Sequence, residues 1–461
     1  MMKTASPPSA PIAAAEQTTP ALLKYLLMFT IFYIPNQRMF PDFSLTGLNI
    51  TNLLFVTLLI LVMRGKIKAQ SRAPLKKQFV FFFIVLTWGF LIGQIHDAST
   101  IFSDFQVLKN ALLYMLLFFL FYYAVRDKKT IKLLFFVILF TIFFDIYLGL
   151  RQVLDYGFNY NEMRRVAAPF SWNSTDANRS SAFYTIYLTL FGATALYYRS
   201  NRTVRWLALA CLAFGIFVNF FTYSRQSYGI LAVLVLILTF RRNALLAVVI
   251  IIALFNYHLW LPDSVIARID MTMQTNDSMP GVVGAPLNQE LDASTESRFI
   301  IWGGAAQIIM RNPWGIGLAH FPRTIGTYVP EFAHFDAHDY YILCAAENGV
   351  LAPISVLLLL LGLYRLGRSI EKLDESAESK VYGIGLSLAA IAVAMVNIYG
   401  SRFVDGNLMS NFWIFAGLAA RYQSLTLEAR VGIQEISAQR AKKWVPASRM
   451  TRPASLVTPV R

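Results

Sequence analysis

Long runs of apolar residues, several of them free of charge, recur from one end of this 461-residue chain to the other. They can be placed near residues 21–35, 45–63, 79–95, 110–125, 131–150, 180–198, 206–223, 228–240, 244–261, 340–364, 381–399 and 408–420. A helix needs roughly 20 apolar residues to cross a hydrocarbon core about 30 Å thick. Within lipid, backbone N–H and C=O groups must be satisfied inside the segment, which leaves such runs the helix as their form. Only 15% of the residues are charged, against roughly 25% in a soluble globular chain. The pattern predicts an all-α polytopic membrane protein of about 12 transmembrane helices.

The loops set the orientation. The segment RGKIKAQSRAPLKKQ (64–78) has six basic residues and no acid, which the positive-inside rule assigns to the cytoplasm. Alternation from there makes 126–130, 199–205, 241–243, 365–380 and both termini cytoplasmic. That side then holds 29 basic and 8 acidic residues, and the outer side 12 basic and 18 acidic. The net charge of +15 is therefore a topology signal, and no nucleic-acid partner is expected. Cys211 and Cys344 lie in apolar runs and read as buried free thiols.

The expected organisation is a cytoplasmic tail over 1–20, helices 1–9 over 21–261, and a large outer loop over 262–338. Helices 10–12 follow over 339–420, and a basic cytoplasmic tail over 421–461. The tail has eight Lys/Arg against two acids, which suits anionic lipid head groups. A loop of 77 residues is too long for a connector and reads as a small subdomain.

The 12 outer basic residues are Arg38, Lys109, Arg151, Arg164, Arg165, Arg179, Arg225, Arg268, Arg298, Arg311, Arg323 and Arg402. Eleven are arginine, whereas the inner side mixes 13 lysines with 16 arginines. Arginine offers a planar fork that grips phosphate oxygens and keeps its charge. For any single one the plainer reading is a surface ion pair. Arg225 stands out, because FTYSRQSYG sets it between two apolar runs at the membrane boundary. Arg298 falls in the first turn of a helix capped by Ser294 or Thr295, with Glu296 favouring its start, and ending near Asn312 before Pro313. In DAHDYYILCAAENGV (336–350), Asp336 reads as an N-cap, which would put His338 in the first turn of the next span. His96, His258, His320 and His334 read as structural. His334, Asp336 and His338 match no familiar ligand spacing, so no metal is expected.

Taken in order, these pieces resemble the O-antigen ligase and O-antigen polymerase superfamily of bacterial membrane glycosyltransferases. The resemblance covers about 170–355. It rests on Asp176-x-Asn178 before a span, Ser224-Arg225 at a helix boundary, and Arg298 followed by Trp302. NPWGIGLAHF (312–321), Ala337-His338 opening a span, and Glu347-Asn-Gly349 complete the set. One departure is Asp339, where the family commonly has Asn.

The resemblance implies a GT-C-like fold in the bacterial inner membrane with a periplasmic loop subdomain and active site, working without metal, cofactor or nucleotide sugar. It implies transfer of a glycan from undecaprenyl diphosphate to an acceptor hydroxyl, either of lipid A core (a ligase) or of another glycan unit (a polymerase). Arg225 and Arg298 would hold the diphosphate, and His338 would act as general base. Arg164, Arg165, Arg179, Arg402 and Tyr340 are further candidates for donor or glycan contacts, and Trp172 and Trp302 for stacking on sugars. A transporter or flippase is the rival reading. It would need charges in mid-span, where Asp145 and Glu347 are the main ones and are expected nearer an end. A structural assembly protein, for which the arginines and His338 would be dispensable, is the third.

Overall fold

The computed structural model describes residues 18–41, 49–64, 72–161, 163–172, 176–270 and 293–443, without the side chains of 293–294, 432–433 and 435–443. The expectations for residues 1–17, 65–71, 271–292 and 444–461, for the start of the run 45–63, and for the cap at Ser294, lie outside them.

The helices are α1 (Ala21–Tyr33), α2 (Ile50–Arg64), α3 (Lys76–His96), α4 (Ile101–Ala124), α5 (Lys128–Tyr156), α6 (Ala177–Tyr197), α7 (Arg202–Phe220) and α8 (Arg225–Arg242). They continue as α9 (Ala244–Phe255), α10 (Asp263–Asp270), α11 (Ala293–Arg311), α12 (Phe321–Thr324), α13 (Tyr340–Asn348), α14 (Leu351–Glu371), α15 (Ala377–Val396) and α16 (Gly406–Lys443). Among the described residues there is no strand. Six segments are long and apolar enough to cross a membrane unaided: α3, the stretch Ala98–Ala124, α5, α7, α14 and α15. α1, α2 and α9 are shorter apolar helices.

Side chains on the bundle surface are themselves apolar. Leu245, Val249, Ile252 and Phe255 on α9, with Ile84 and Leu91 on α3, stay exposed, as suits walls that face lipid. The chain is a multi-pass membrane protein.

α6 occupies the centre, buried from Ala177 to Ala195 with scarcely a break. Its buried positions include threonines, and Thr185, Thr189 and Thr194 return their hydroxyls to carbonyls three or four residues back. Those polar groups are satisfied inside the helix and can sit in the core. α7, α8 and α15 pack around it.

Contacts sort the connections onto two ends of the bundle. At one end the Thr19 N–H and hydroxyl both donate to Asp127, the N-cap of α5. Lys132 meets Glu378, and Arg241 meets Glu371, at this same end. Arg38–Asp176, Arg179–Asp405 and Ser401–Asp336 contacts mark the other. The candidate residues gather at this second end.

Four expectations need correction. The run at 340–364 is two helices, broken at Gly349 (φ +87°), where the chain crosses Trp314 so closely that a Cβ would lie 2.9 Å from its carbonyl oxygen. The boundary at 420 is not a helix end. α16 continues to Lys443, and Arg421 is buried, donating to the Val125 carbonyl. Asp145 is not near an end of its helix: it is fully buried well inside α5. Asp336 is not the cap of α13, a change that bears directly on the site.

Candidate functional site

α11 and the loops after it carry a small hydrophobic core of their own, built on Ile301, Ala305, Ile308, Ile316, Phe321 and Ile325. The loop 312–321 is locked under α13. Ile316 and Gly317 donate to the Ala346 and Glu347 carbonyls, which as the last of a helix have no partner within it. The buried Glu347 carboxylate in turn accepts the Phe321 N–H. Below the loop, His320 pairs with Asp104 at 3.0 Å, and Thr100 and Gln94 donate to the same carboxylate oxygen. His320 is buried and tied into the fold, as its structural reading expects.

On this footing α11 presents Arg298 and Trp302, four residues apart and so on one face. Ala293 is already helical, so Arg298 falls in the second turn. The Trp302 indole N–H donates to the Ala337 carbonyl at 2.9 Å, and the Arg298 guanidinium lies 5.9 Å over the Tyr399 ring. Trp302 is thus a positioning residue for the turn that carries His338.

His338 takes φ +54°, a left-handed conformation that an L-residue adopts at a cost of about 1–2 kcal/mol. A helix cannot run back through it. Asp339 therefore caps α13, accepting the Ile342 N–H at 2.9 Å, and His338 lies just before the helix. An acceptor oxygen is all the cap requires, which both Asn and Asp supply. Asp336 instead accepts the His338 N–H at 3.3 Å and the Ser401 hydroxyl at 3.1 Å, and its carboxylate stands 3.9 Å from the imidazole Nδ1. The imidazole is 42% exposed, open to a substrate. Its hold on a proton is weakened, first by desolvation and then by the charges of Arg298 and Arg402, with Asp336 pulling the other way. The neutral, proton-accepting form is favoured.

The other candidates fall into place around this group. Arg402 stands close enough to act on His338. Arg179 is committed: its fork makes two 2.6 Å bonds to Asp405 and lies 4.3 Å over the Phe170 ring. Arg165 donates to the Thr222 carbonyl and to Asn178 Oδ1, both at 2.8 Å, which fastens the α7–α8 turn to the start of α6. Arg225 opens α8 just past that turn, half-buried. Asp176 faces Arg38 at 3.6 Å, so both polar residues of the Asp-x-Asn motif receive arginines. Arg164 is exposed. Tyr340 is buried against Phe403, ring centroids 5.3 Å apart, and turns its ring to the core and away from the site. Trp172 is exposed and accepts the Tyr156 hydroxyl at its carbonyl. Among the described residues no three His, Cys, Asp or Glu side chains are grouped to hold a metal.

The structure thus brings Arg298, His338 and Arg402 together, with Arg225 at the start of α8. A family model described as O-antigen ligase matches residues 207–357. Over that segment, about a third of the chain, the sequence is similar to the O-antigen ligase family. The matched residues include Arg225, Arg298 and His338, and leave out Arg179 and Arg402. No curated protein matches the chain.

Sequence reasoning missed Asn397, Tyr399 and Ser401, which the site uses. Their one signal was a polar interruption, NIYGSRFVDGN, between two apolar runs.

Proposed function

We propose that this protein is an O-antigen ligase-like glycosyltransferase working at the periplasmic face of the bacterial inner membrane. It moves a glycan from undecaprenyl diphosphate to an acceptor hydroxyl of lipid A core. The observation that carries the reading is the neutral-leaning His338, left open beside two arginines.

In this reading His338 takes the proton of the acceptor hydroxyl, whose oxygen attacks the anomeric carbon of the donor sugar. The bond from that carbon to the diphosphate oxygen breaks, and undecaprenyl diphosphate leaves with the electron pair. Arg298 and Arg225 stabilise the charge on the departing diphosphate through fixed guanidinium donors, without a metal. The proton on His338 then passes to water. An apolar cavity of about 470 Å³ opens one turn beyond Arg225, between Tyr228 and Leu231 of α8, Ala253 and Leu254 of α9, and Trp260. Its walls suit a polyprenyl chain whose diphosphate lies at Arg225.

A gel of lipopolysaccharide from a deletion strain tests the acceptor. Core without any repeat supports the ligase, and core bearing one repeat means a polymerase. An unchanged pattern excludes both and moves the reading to exopolysaccharide.

A further inference from the structure

The turn between α15 and α16 lies outside the family-matched segment, yet it is wired to both sides of His338. Asn397, fully buried at the end of α15, accepts the Tyr340 N–H at its carbonyl (2.8 Å) and the Arg402 N–H at its Oδ1 (3.0 Å). Its own Nδ2 donates back to Val393 at 2.7 Å, which fixes the amide. Ser401, the residue before Arg402, donates to Asp336. The Arg402 backbone is therefore held against the residues at 336 and 340 that flank the histidine.

Its side chain is treated differently. Three carboxylates influence it, and each is engaged elsewhere: Asp405 by both arms of Arg179, Asp336 by Ser401 and the His338 N–H, and Asp176 by Arg38. Among the described residues the Arg402 guanidinium makes no hydrogen bond or ion pair of its own. It is also largely desolvated and shares its surroundings with Arg179, both of which disfavour its charge. An arginine with a fixed backbone, a spare fork and no bonded counter-ion has the character of an anion site awaiting its ligand.

We propose that Arg402 is a substrate-binding residue that grips a phosphoryl group beside His338, opposite Arg298. The assignment rests on the transferase reading for the identity of the substrate, but its anion site stands apart from catalysis. The phosphoryl group belongs either to the diphosphate of the donor or to a phosphate carried by the acceptor.

The test uses the full-length protein in lipid nanodiscs, titrated with inorganic pyrophosphate by calorimetry. Wild type binds, Arg402→Gln binds roughly tenfold or more weakly, and Arg402→Lys recovers part of the loss, as expected for a charge-assisted forked contact. Arg323→Gln, an exposed arginine at the same end, leaves binding unchanged. Melting curves for each variant confirm that it is folded. Equal pyrophosphate affinity in wild type and Arg402→Gln, or no binding by wild type, overturns the proposal.

Transfer kinetics separate the two sources. A raised KM for the lipid-linked donor assigns the contact to the diphosphate. A raised KM confined to phosphorylated acceptors assigns it to the acceptor, and no change in either also overturns the proposal. If wild type binds pyrophosphate but transfers nothing, the transferase reading fails and the anion site stands.

Discussion

Replacing Trp302 with phenylalanine removes one hydrogen bond and keeps an aromatic ring against Phe299. The lost bond is the 2.9 Å donation from the indole to the Ala337 carbonyl, on a residue that is wholly buried. Losing such a bond costs about 0.5–1.5 kcal/mol, and leaving a buried carbonyl unpaired raises this to about 1–3 kcal/mol. The left-handed backbone of His338, one residue on, costs about 1–2 kcal/mol to hold, so the bond is as large as the strain it restrains. With each ~1.4 kcal/mol worth tenfold in rate, Trp302→Phe should lower kcat by roughly tenfold. KM for the lipid-linked donor should change little, because Arg225 and Arg298 are untouched. The assay is release of undecaprenyl diphosphate by the variant in nanodiscs, with melting curves alongside. A variant that loses stability yet keeps kcat within about twofold would refute the claim that Trp302 positions the histidine.

Arg179→Ala should destabilise the protein by about 1.5–3 kcal/mol, because the part-buried Asp405 loses both arms of its guanidinium partner and keeps only the Leu408 N–H; chemical denaturation measures it, and a loss below about 0.5 kcal/mol would return Arg179 to the substrate-contact candidates. Asp339→Asn should keep near-full activity, whereas Asp339→Ala should lose about 1 kcal/mol of stability with the cap; equal behaviour of the two variants in transfer and melting assays would contradict the capping role. Because the His338 proton is held weakly and only the neutral ring can act as base, the acid limb of the pH–rate profile should lie below the ordinary histidine value of about 6.5. Arg298→Gln removes one of the charges responsible, so in its residual activity that limb should move to higher pH; a limb that stays put or moves lower refutes the electrostatic coupling.

The fold was legible where burial and periodicity speak for themselves. Apart from the run broken at Gly349, each apolar run has a helix over most of its described residues, and the two cysteines are buried and free. Legibility failed where tertiary contact overrides local pattern. Nothing local in Glu347-Asn-Gly349 says that the helix stops there; the break exists because loop 312–317, some 30 residues earlier, crosses it. Arg421 looked like the start of a basic cytoplasmic tail because its partner, the Val125 carbonyl, belongs to a helix end nearly 300 residues away. At the site, Arg298 and His338 could be linked through the order of the motifs alone, since 40 residues separate them. The arginines were legible as an excess but not as individuals. That Arg179 is saturated by Asp405 while Arg402 keeps a fork without a partner among the described residues depends on which carboxylate reaches which guanidinium, and that is decided by packing.

The proposed transfer of a lipid-linked glycan by His338 and its arginines can be reconstituted with purified protein in nanodiscs, given an undecaprenyl-diphosphate-linked glycan and lipid A core in excess chelator. Wild type should release undecaprenyl diphosphate and glycosylate the core, while His338→Ala, folded by its melting curve, should do neither. Full transfer by His338→Ala, or no transfer by wild type until metal is restored, would contradict the account.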